Sequence, residues 1–351
     1  MILSLSMTGR SFRGGNIRRM GKCIFHNEYE DIISLENLLL AWREFKKGKK
    51  NRLDVQLFER DLMSNIISLH IDLKNMNYIH SNYEAFNISD SKPRNIHKAS
   101  VKDRLLHHAL YRKLYPFFNN TFIADSYSCR LGKGTHKVLS RLFYFSRKAS
   151  KNNTKTVWVL KCDIRKFFAS INQNILIRIL DERIEDKRIM WILEKIIRSF
   201  DSGRIDKGLP LGNLTSQLLV NIYMNEFDQY VKHKLRVKYY IRYADDFVFL
   251  SEDKNELVDL LFRVKDFLLN KLKLSLHSDK VFIKTLASGI DFLGWVHFPN
   301  YRVLRTMTKR RMFRNMRDKG YNQETIQSYL GLLNQGNGWK MREKIEKIIR
   351  V

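Results

Sequence analysis

The sequence predicts an α+β fold in which a small antiparallel sheet is backed by helices. Three observations carry this. Lys238-Tyr-Tyr-Ile-Arg-Tyr and Phe247-Val-Phe-Leu flank Ala244-Asp245-Asp246, a strand–turn–strand pattern rich in aromatic and β-branched residues. Val157-Trp-Val-Leu-Lys-Cys-Asp163 reads as a buried strand that ends in an acid. Around them the elements run helix, strand, helix, hairpin, helix, strands, an order that suits one sheet with helices on it.

Taken from the start, residues 34–47 read as a helix opened by Ser34, with Glu36 in the first turn where the helix dipole favours an acid. Residues 46–52 form a Lys/Gly/Asn loop, and 54–74 a second helical stretch. Ser100 and Asp103 resemble a capping box, and Val101, Leu105, Ala109 and Leu110 share one face of a helix over 100–114. Asn213 to Leu235 is a long helix by the spacing of Leu214, Leu218, Ile222 and Val231. Asp253 to Leu272 is another, carried by Leu257, Leu260, Leu261, Val264 and Leu268. Short strands follow at 280–285 and 290–297. From Arg305 the chain is basic and helical, with a break at 334–338. Residues 8–19 are Gly/Arg/Ser-rich and read as a disordered tail, and Met20 competes with Met1 and Met7 as the start.

Composition narrows the function. The 351 residues carry 64 Lys plus Arg against 36 Asp plus Glu, a formal charge of +28, with 44% hydrophobic residues. That core content excludes a disordered basic tail, and the charge calls for a polyanion, nucleic acid above a membrane surface. No apolar run reaches the roughly 18 residues of a membrane span. Cys23, Cys129 and Cys162 lack CxxC spacing, which argues against a zinc site or a disulfide framework and for a reducing, cytoplasmic setting. Gly132-Lys133-Gly134 lacks the spacing of a nucleotide-binding phosphate loop, and His107-His108 lack a metal-site partner at i+4.

The chemistry rests on three aspartates. Nucleotidyl transfer needs two divalent ions about 4 Å apart to stabilise the attacking and leaving oxygens. Mg²⁺ takes carboxylates plus substrate phosphates. Asp245 and Asp246 on a tight hairpin, with Asp163 on a neighbouring strand, meet that demand. A polar turn is the plain alternative for Asp245-Asp246 alone, and the strand-terminal Asp163 weighs against it.

From about Asn37 to Arg342 the chain resembles a bacterial reverse transcriptase. The blocks that carry this stand in order: residues 91–110 (SKPRNIHKASVKDRLLHHAL), 125–138 (DSYSCRLGKGTHKV), 160–171 (LKCDIRKFFASI), 208–228 (GLPLGNLTSQLLVNIYMNEFD), the YADD turn, 274–280 (LSLHSDK) and 289–295 (GIDFLGW). The resemblance implies a right-hand polymerase fold: an N-terminal tail over 1–33, a helical extension over 34–85, fingers and palm over 86–300, and a helical thumb over 301–351. It implies that Asp163, Asp245 and Asp246 bind two Mg²⁺ ions, with Mn²⁺ as a substitute, and that Lys280 protonates the departing pyrophosphate. Lys92 and Arg94 would meet the incoming dNTP. Phe168 would be the aromatic gate against a ribose 2′-hydroxyl, a role compatible with core packing, and Leu211 and Gln217 would lie at the same nucleotide site. Arg130 would support the fold or touch nucleic acid, and Gly294 and Trp295 would grip the primer end or, for Trp295, belong to the core.

Leu211-Gly212-Asn-Leu-Thr-Ser216-Gln217 stands where many reverse transcriptases have Gln-Gly…Ser-Pro. It resembles the enzymes of diversity-generating retroelements, which copy a template RNA with errors at adenines. Some phage-defence enzymes share this block. A retron enzyme is disfavoured by the missing Val-Thr-Gly signature, and a full group II intron protein by the short thumb. The implied partners are an RNA template and its RNA–DNA duplex, dNTPs, and a basic accessory protein or a dedicated non-coding RNA, with no membrane.

Overall fold

The computed structural model describes residues 24–89 and 93–350. The expected tail over 8–19, the candidate starts, Cys23 and Lys92 lie outside these residues.

Four helices come first: α1 (Tyr29–Ile33), α2 (Leu35–Lys46), α3 (Leu53–Arg60) and α4 (Leu62–Lys74). Ser34 caps α2 by accepting from the Asn37 amide, and its Leu38, Ala41, Trp42 and Phe45 face is buried. The single helix expected over 54–74 breaks at Asp61, whose ψ of 35° leaves the helical region. A hairpin of β1 (Glu84–Ser89) and β2 (Pro93–Lys98) follows, then α5 (Val101–Thr121), the helix against which α2 packs. Ser100 and Asp103 cap α5 reciprocally: the Asp103 amide donates to Ser100 Oγ, and Ser100 Oγ donates to the Asp103 carboxylate at 2.7 Å.

The chain continues through α6 (Thr135–Ala149), β3 (Trp158–Asp163), α7 (Phe167–Ser170), α8 (Gln173–Asp181), α9 (Lys187–Arg198) and α10 (Leu214–Gln229), which runs on into a π turn over 230–234. Then come β4 (Tyr240–Tyr243), β5 (Asp246–Ser251), α11 (Lys254–Leu272) and β6 (Phe282–Thr285). These four strands make one antiparallel sheet in the order β4-β5-β3-β6. Strand geometry sends alternate residues to opposite faces, and here both faces are buried. Leu160, Cys162, Phe247, Phe249 and Tyr240 enter a core shared with α10, α11 and α5. Val159, Val248, Leu250 and Ile241 enter a second core shared with α6 and the C-terminal elements. That explains why β3 and β5 read as continuous apolar runs rather than alternating ones.

A second sheet joins β7 (Ile290–Phe292), β8 (Trp295–His297) and β9 (Arg302–Leu304). The single strand expected over 290–297 is a hairpin, because Leu293 and Gly294 both take positive φ (50° and 83°) and reverse the chain. Helices α12 (Thr306–Asp318), α13 (Gln323–Leu333) and α14 (Trp339–Arg350) close the chain. They are seated on this second sheet at Gly336: a Cβ there would collide with the Trp295 ring and stand 2.9 Å from the Arg302 carbonyl oxygen. The Asn337 amide donates to that carbonyl at 2.8 Å. A palm sheet, a fingers hairpin with its helices and a helical thumb give the right-hand polymerase arrangement. Among the described residues no helix is long and apolar enough to cross a membrane.

One ion pair joins three of these parts. Arg242, 1% exposed, donates through Nε and Nη2 to both oxygens of the fully buried Asp228 at 2.8 and 2.6 Å. Tyr240 donates to the same carboxylate at 2.7 Å. Removing one partner of such a pair strands the other charge in a dry interior. Asp228→Ala is therefore expected to cost about 3–5 kcal/mol of stability, read from urea denaturation followed by far-UV circular dichroism; a loss within about 0.5 kcal/mol would show that the pair carries nothing.

Candidate active site

Antiparallel pairing of β3 with β5 sets Asp163 directly across from Asp246, at the end of one strand and the start of the other. Asp245 sits in the two-residue turn between Tyr243 and Asp246, which pair across β4 and β5. The turn is strained, since Ala244 lies at φ 55°, a region that side chains other than glycine seldom adopt. Two bonds hold it: Arg242 Nη1 donates to the Ala244 carbonyl at 3.1 Å, and the Ile164 amide donates to the Asp245 carbonyl at 3.1 Å. The residue after Asp163 is thus fastened to the residue before Asp246.

The electrostatics follow from burial. Burial first, then the neighbouring Asp163 charge, raises the Asp245 carboxyl above its ordinary range, against Lys280 and Arg94. Asp246 is pushed up to about 7, again chiefly by burial, with Asp163 and Asp245 adding and Lys161 opposing. Lys161 Nζ stands 3.5 Å from Asp246 Oδ2, and Lys280 Nζ donates to Asp163 Oδ1 at 2.6 Å. Asp246 Oδ1 is buried and has no hydrogen-bond partner. A carboxylate oxygen that is both desolvated and unpaired is held at a cost unless a cation shares it.

Among the described residues no three His, Cys, Asp or Glu side chains converge as a ready-made metal cage; lysines stand against two of the three carboxylates. The donor set still fits a hard divalent ion. It offers only carboxylate oxygens, two of them on adjacent turn residues, one unpartnered, and it leaves coordination positions for phosphate oxygens.

The other expected residues fall into two groups. Arg94 on β2 is exposed and close enough for its charge to act on Asp245. Its strand is tied to Leu211: the His97 amide donates to the Leu211 carbonyl at 3.0 Å, and Asn213 Nδ2 donates to the His97 carbonyl at 3.0 Å. Phe168 on α7 is half-buried and its carbonyl accepts from the Leu209 amide at 2.9 Å, which links it to the same segment. Gln217, also half-buried, lies in the first turn of α10.

The second group is turned inward. Arg130 spends its guanidinium on Asn119 Oδ1 and on the carbonyls of Asn119, Ile123 and Ser126, at 2.7–3.3 Å. That is the geometry of a support for the loop after α5. Trp295, read from the sequence as a primer grip or a core residue, is 1% exposed beneath Gly336 and backs the hairpin from within, as a core residue does. Gly294 stands at the tip of that hairpin, its carbonyl accepting from the Arg305 amide at 3.0 Å.

Lys161, Asp228 and Arg242 were not singled out from the sequence. A signal was available: a lysine inside Val157–Cys162 and an arginine inside Tyr239–Tyr243 are charges embedded in apolar strands, which survive burial only with partners.

A family model described as reverse transcriptase (RNA-dependent DNA polymerase) matches residues 87–297. Protein YkfC of Escherichia coli (strain K12) is 27% identical over 246 residues, covering 59% of this chain and 63% of that protein. The group II intron-encoded protein LtrA of Lactococcus lactis subsp. cremoris is 22% identical over 293 residues, covering 64% of this chain and 47% of LtrA. The solved structure of an apo telomerase from Candida tropicalis aligns with a TM-score of 0.48 at 15% identity, over 69% of this chain and 60% of that one. The chain spans less than two thirds of the length of each of these relatives.

Gly212 joins the Leu211 segment to β2. Its φ is 109°, and a Cβ there would stand 2.8 Å from Ile96 Cγ2. Gly212→Ala is expected to cost about 1–3 kcal/mol and to shift the β1–β2 hairpin. Thermal denaturation and amide exchange over 93–98 would register both, and wild-type protection there would contradict the contact.

Proposed function

Because the chain belongs to the reverse transcriptase family, we propose that it copies an RNA template into cDNA by two-metal nucleotidyl transfer. The observation that carries this is the junction of β3 and β5, where Asp163 faces Asp246 beside the Asp245 turn. Asp163, Asp245 and Asp246 would hold two Mg²⁺ ions, with Mn²⁺ as a substitute. When bound, the ions supply charge stabilisation to the attacking and leaving oxygens.

The protein's own residues supply the rest. Arg94 would pair with the triphosphate from the fingers side, as arginine suits bidentate phosphate contacts. Phe168 would press against the sugar and exclude a 2′-hydroxyl. Lys280 holds its ammonium against Asp163 and would give a proton to the departing pyrophosphate. Residues 86–300 would act as fingers and palm, and 301–351 as a thumb whose Arg310, Arg311, Arg314 and Arg317 track a duplex backbone without reading sequence.

The finer reading is mutagenic copying within a diversity-generating retroelement. It is supported by Leu211-Gly212-Asn-Leu-Thr-Ser-Gln217 and by the backbone tie of Leu211 to the strand of Arg94. An aliphatic residue there offers no hydrogen bond to position a nucleotide, so base selection would rest on shape alone. Antiphage defence with a dedicated non-coding RNA is the alternative, since some phage-defence enzymes share that block and the Tyr-Ala-Asp-Asp turn departs from the Tyr-Met-Asp-Asp of many retroelement enzymes. Paired near-identical repeats beside the gene, differing at template adenines, would decide for the retroelement, and their absence for defence.

Primer extension on RNA with Mg²⁺ tests the activity. Asp245→Asn is expected to lower the rate by at least about a thousandfold, the scale of several kcal/mol of charge stabilisation, and to weaken Mn²⁺ binding read by electron paramagnetic resonance. Extension and binding equal to wild type would remove Asp245 from the machinery. Leu211→Gln is expected to reduce misincorporation opposite adenine severalfold, measured by sequencing the product; an unchanged error spectrum would refute the positioning argument.

A further inference from the structure

Outside the β3–β5 junction, a cavity of about 350 Å³ opens where three parts of the chain meet: the outer face of α6, the turn between β8 and β9, and the loop between α13 and α14. Its size is that of a small-ligand site. It lies at the far end of the β7–β8 hairpin from Gly294, a three-residue strand or roughly 10 Å away.

The walls are built for a flat, hydrogen-bonding heterocycle. Phe143 on α6 is 41% exposed and Tyr301 is 49% exposed. Tyr301 stacks on Phe298 with centroids 4.8 Å apart at 22°, a rigid aromatic shelf at the rim. Asn300, Arg302, Gln335 and Asn337 also line it; Asn300 Oδ1 already accepts from Asn153 Nδ2 at 2.6 Å and Arg302 Nε donates to the Gln335 carbonyl. The Arg302 backbone is fastened to the thumb loop through Asn337, so this wall is fixed in place. His297 lines the cavity while only 5% exposed, and its Nε2 has no hydrogen-bond partner. Its ring bonds the Phe292 backbone, while burial and the Arg302 charge hold it neutral, with its pKa lowered to about 4. Nε2 is itself buried, so the ring backs the cavity wall rather than reaching into it.

On α6 beside Phe143, Lys148 lies against the Tyr144 ring at 5.7 Å, and Arg141, which is paired with Asp125, lies against it at 5.3 Å. Cations interleaved with exposed aromatic faces are how proteins track a single strand without reading its sequence. We propose that this cavity takes an unpaired base of a single-stranded RNA, seated between Phe143 and the Phe298–Tyr301 shelf, with the strand's phosphates running along the basic side of α6. It goes beyond the copying activity, because it gives the protein a hold on RNA that is separate from the catalytic cleft.

The test uses the full chain. Ser140→Phe fills the cavity from an exposed helix position, and Tyr301→Ser removes the shelf. Each variant is checked for wild-type circular dichroism and titrated by fluorescence anisotropy with a labelled 12-nucleotide RNA and with a blunt RNA–DNA duplex. One stacked base contributes about 1–3 kcal/mol, so single-strand affinity is expected to fall about 5- to 150-fold in both variants while duplex affinity holds. In wild type, 4-thiouridine RNA is expected to crosslink at Phe143 or Tyr301. Unchanged single-strand affinity in both folded variants, or crosslinks confined to residues outside the cavity, would overturn the assignment. Competition by AMP at the affinity of the RNA would reassign the cavity to free nucleotides and equally overturn it. Binding is read without catalysis, so a failed primer extension leaves this test intact.

Discussion

The buried pair of Arg242 and Asp228 is the constraint on which the geometry of the aspartate turn depends. Burying two charges is expensive, and a well-packed apolar pair can match such a bridge in stability. What an apolar pair cannot do is hold a strained turn. Arg242 uses its remaining donors on the Ala244 carbonyl and on Ser126 Oγ, so one guanidinium joins α10, the loop before α6 and the aspartate hairpin. The left-handed conformation at Ala244 persists because its carbonyl is claimed from inside.

A second constraint is that the central sheet is covered on both faces. Alternate residues of β3 and β5 enter two separate cores, one made with the helices on the fingers side and one with α6 and the thumb. The strands carrying Asp163 and Asp246 are therefore held between two packed cores. Thumb and palm meet through Trp295, Gly336 and Arg302, a joint in which a Cβ at the glycine would strike the tryptophan ring. Close packing of this kind passes displacement on rather than absorbing it.

Much of this was legible in the residues. The aspartate hairpin, β3, α10 and α11 announced themselves because apolar runs and helical spacing persist where burial is complete. The β1–β2 hairpin did not, since Glu84–Ser89 and Pro93–Lys98 are largely exposed and carry no alternation. Helix α6 escaped notice although Val138, Leu139, Leu142 and Phe145 share a buried face, because its other positions are crowded with basic and aromatic residues. The break at Leu293-Gly294 was hidden by the leucine, a poor residue for positive φ. The grouping of Asp163 with Asp245 and Asp246 was readable because the proposed chemistry demands that residue type. Placements were not readable where contacts decide: nothing local in the sequence says that Arg130 turns inward or that Trp295 lies beneath a thumb glycine.

The segment over 125–127 has a consequence of another kind. It bonds to β4 on both sides, the Arg242 amide donating to the Asp125 carbonyl and the Tyr127 amide to the Arg242 carbonyl, each at 3.0 Å. The outermost strand of the sheet thus has its free edge occupied by the chain's own backbone at the residue before Tyr243. An open edge recruits strands from other molecules; this one is sealed where pairing with a neighbour would pull the aspartate turn out of register. In a protein that must keep apolar strands beside a polar active centre, the same few amides guard against self-association and keep the turn's alignment.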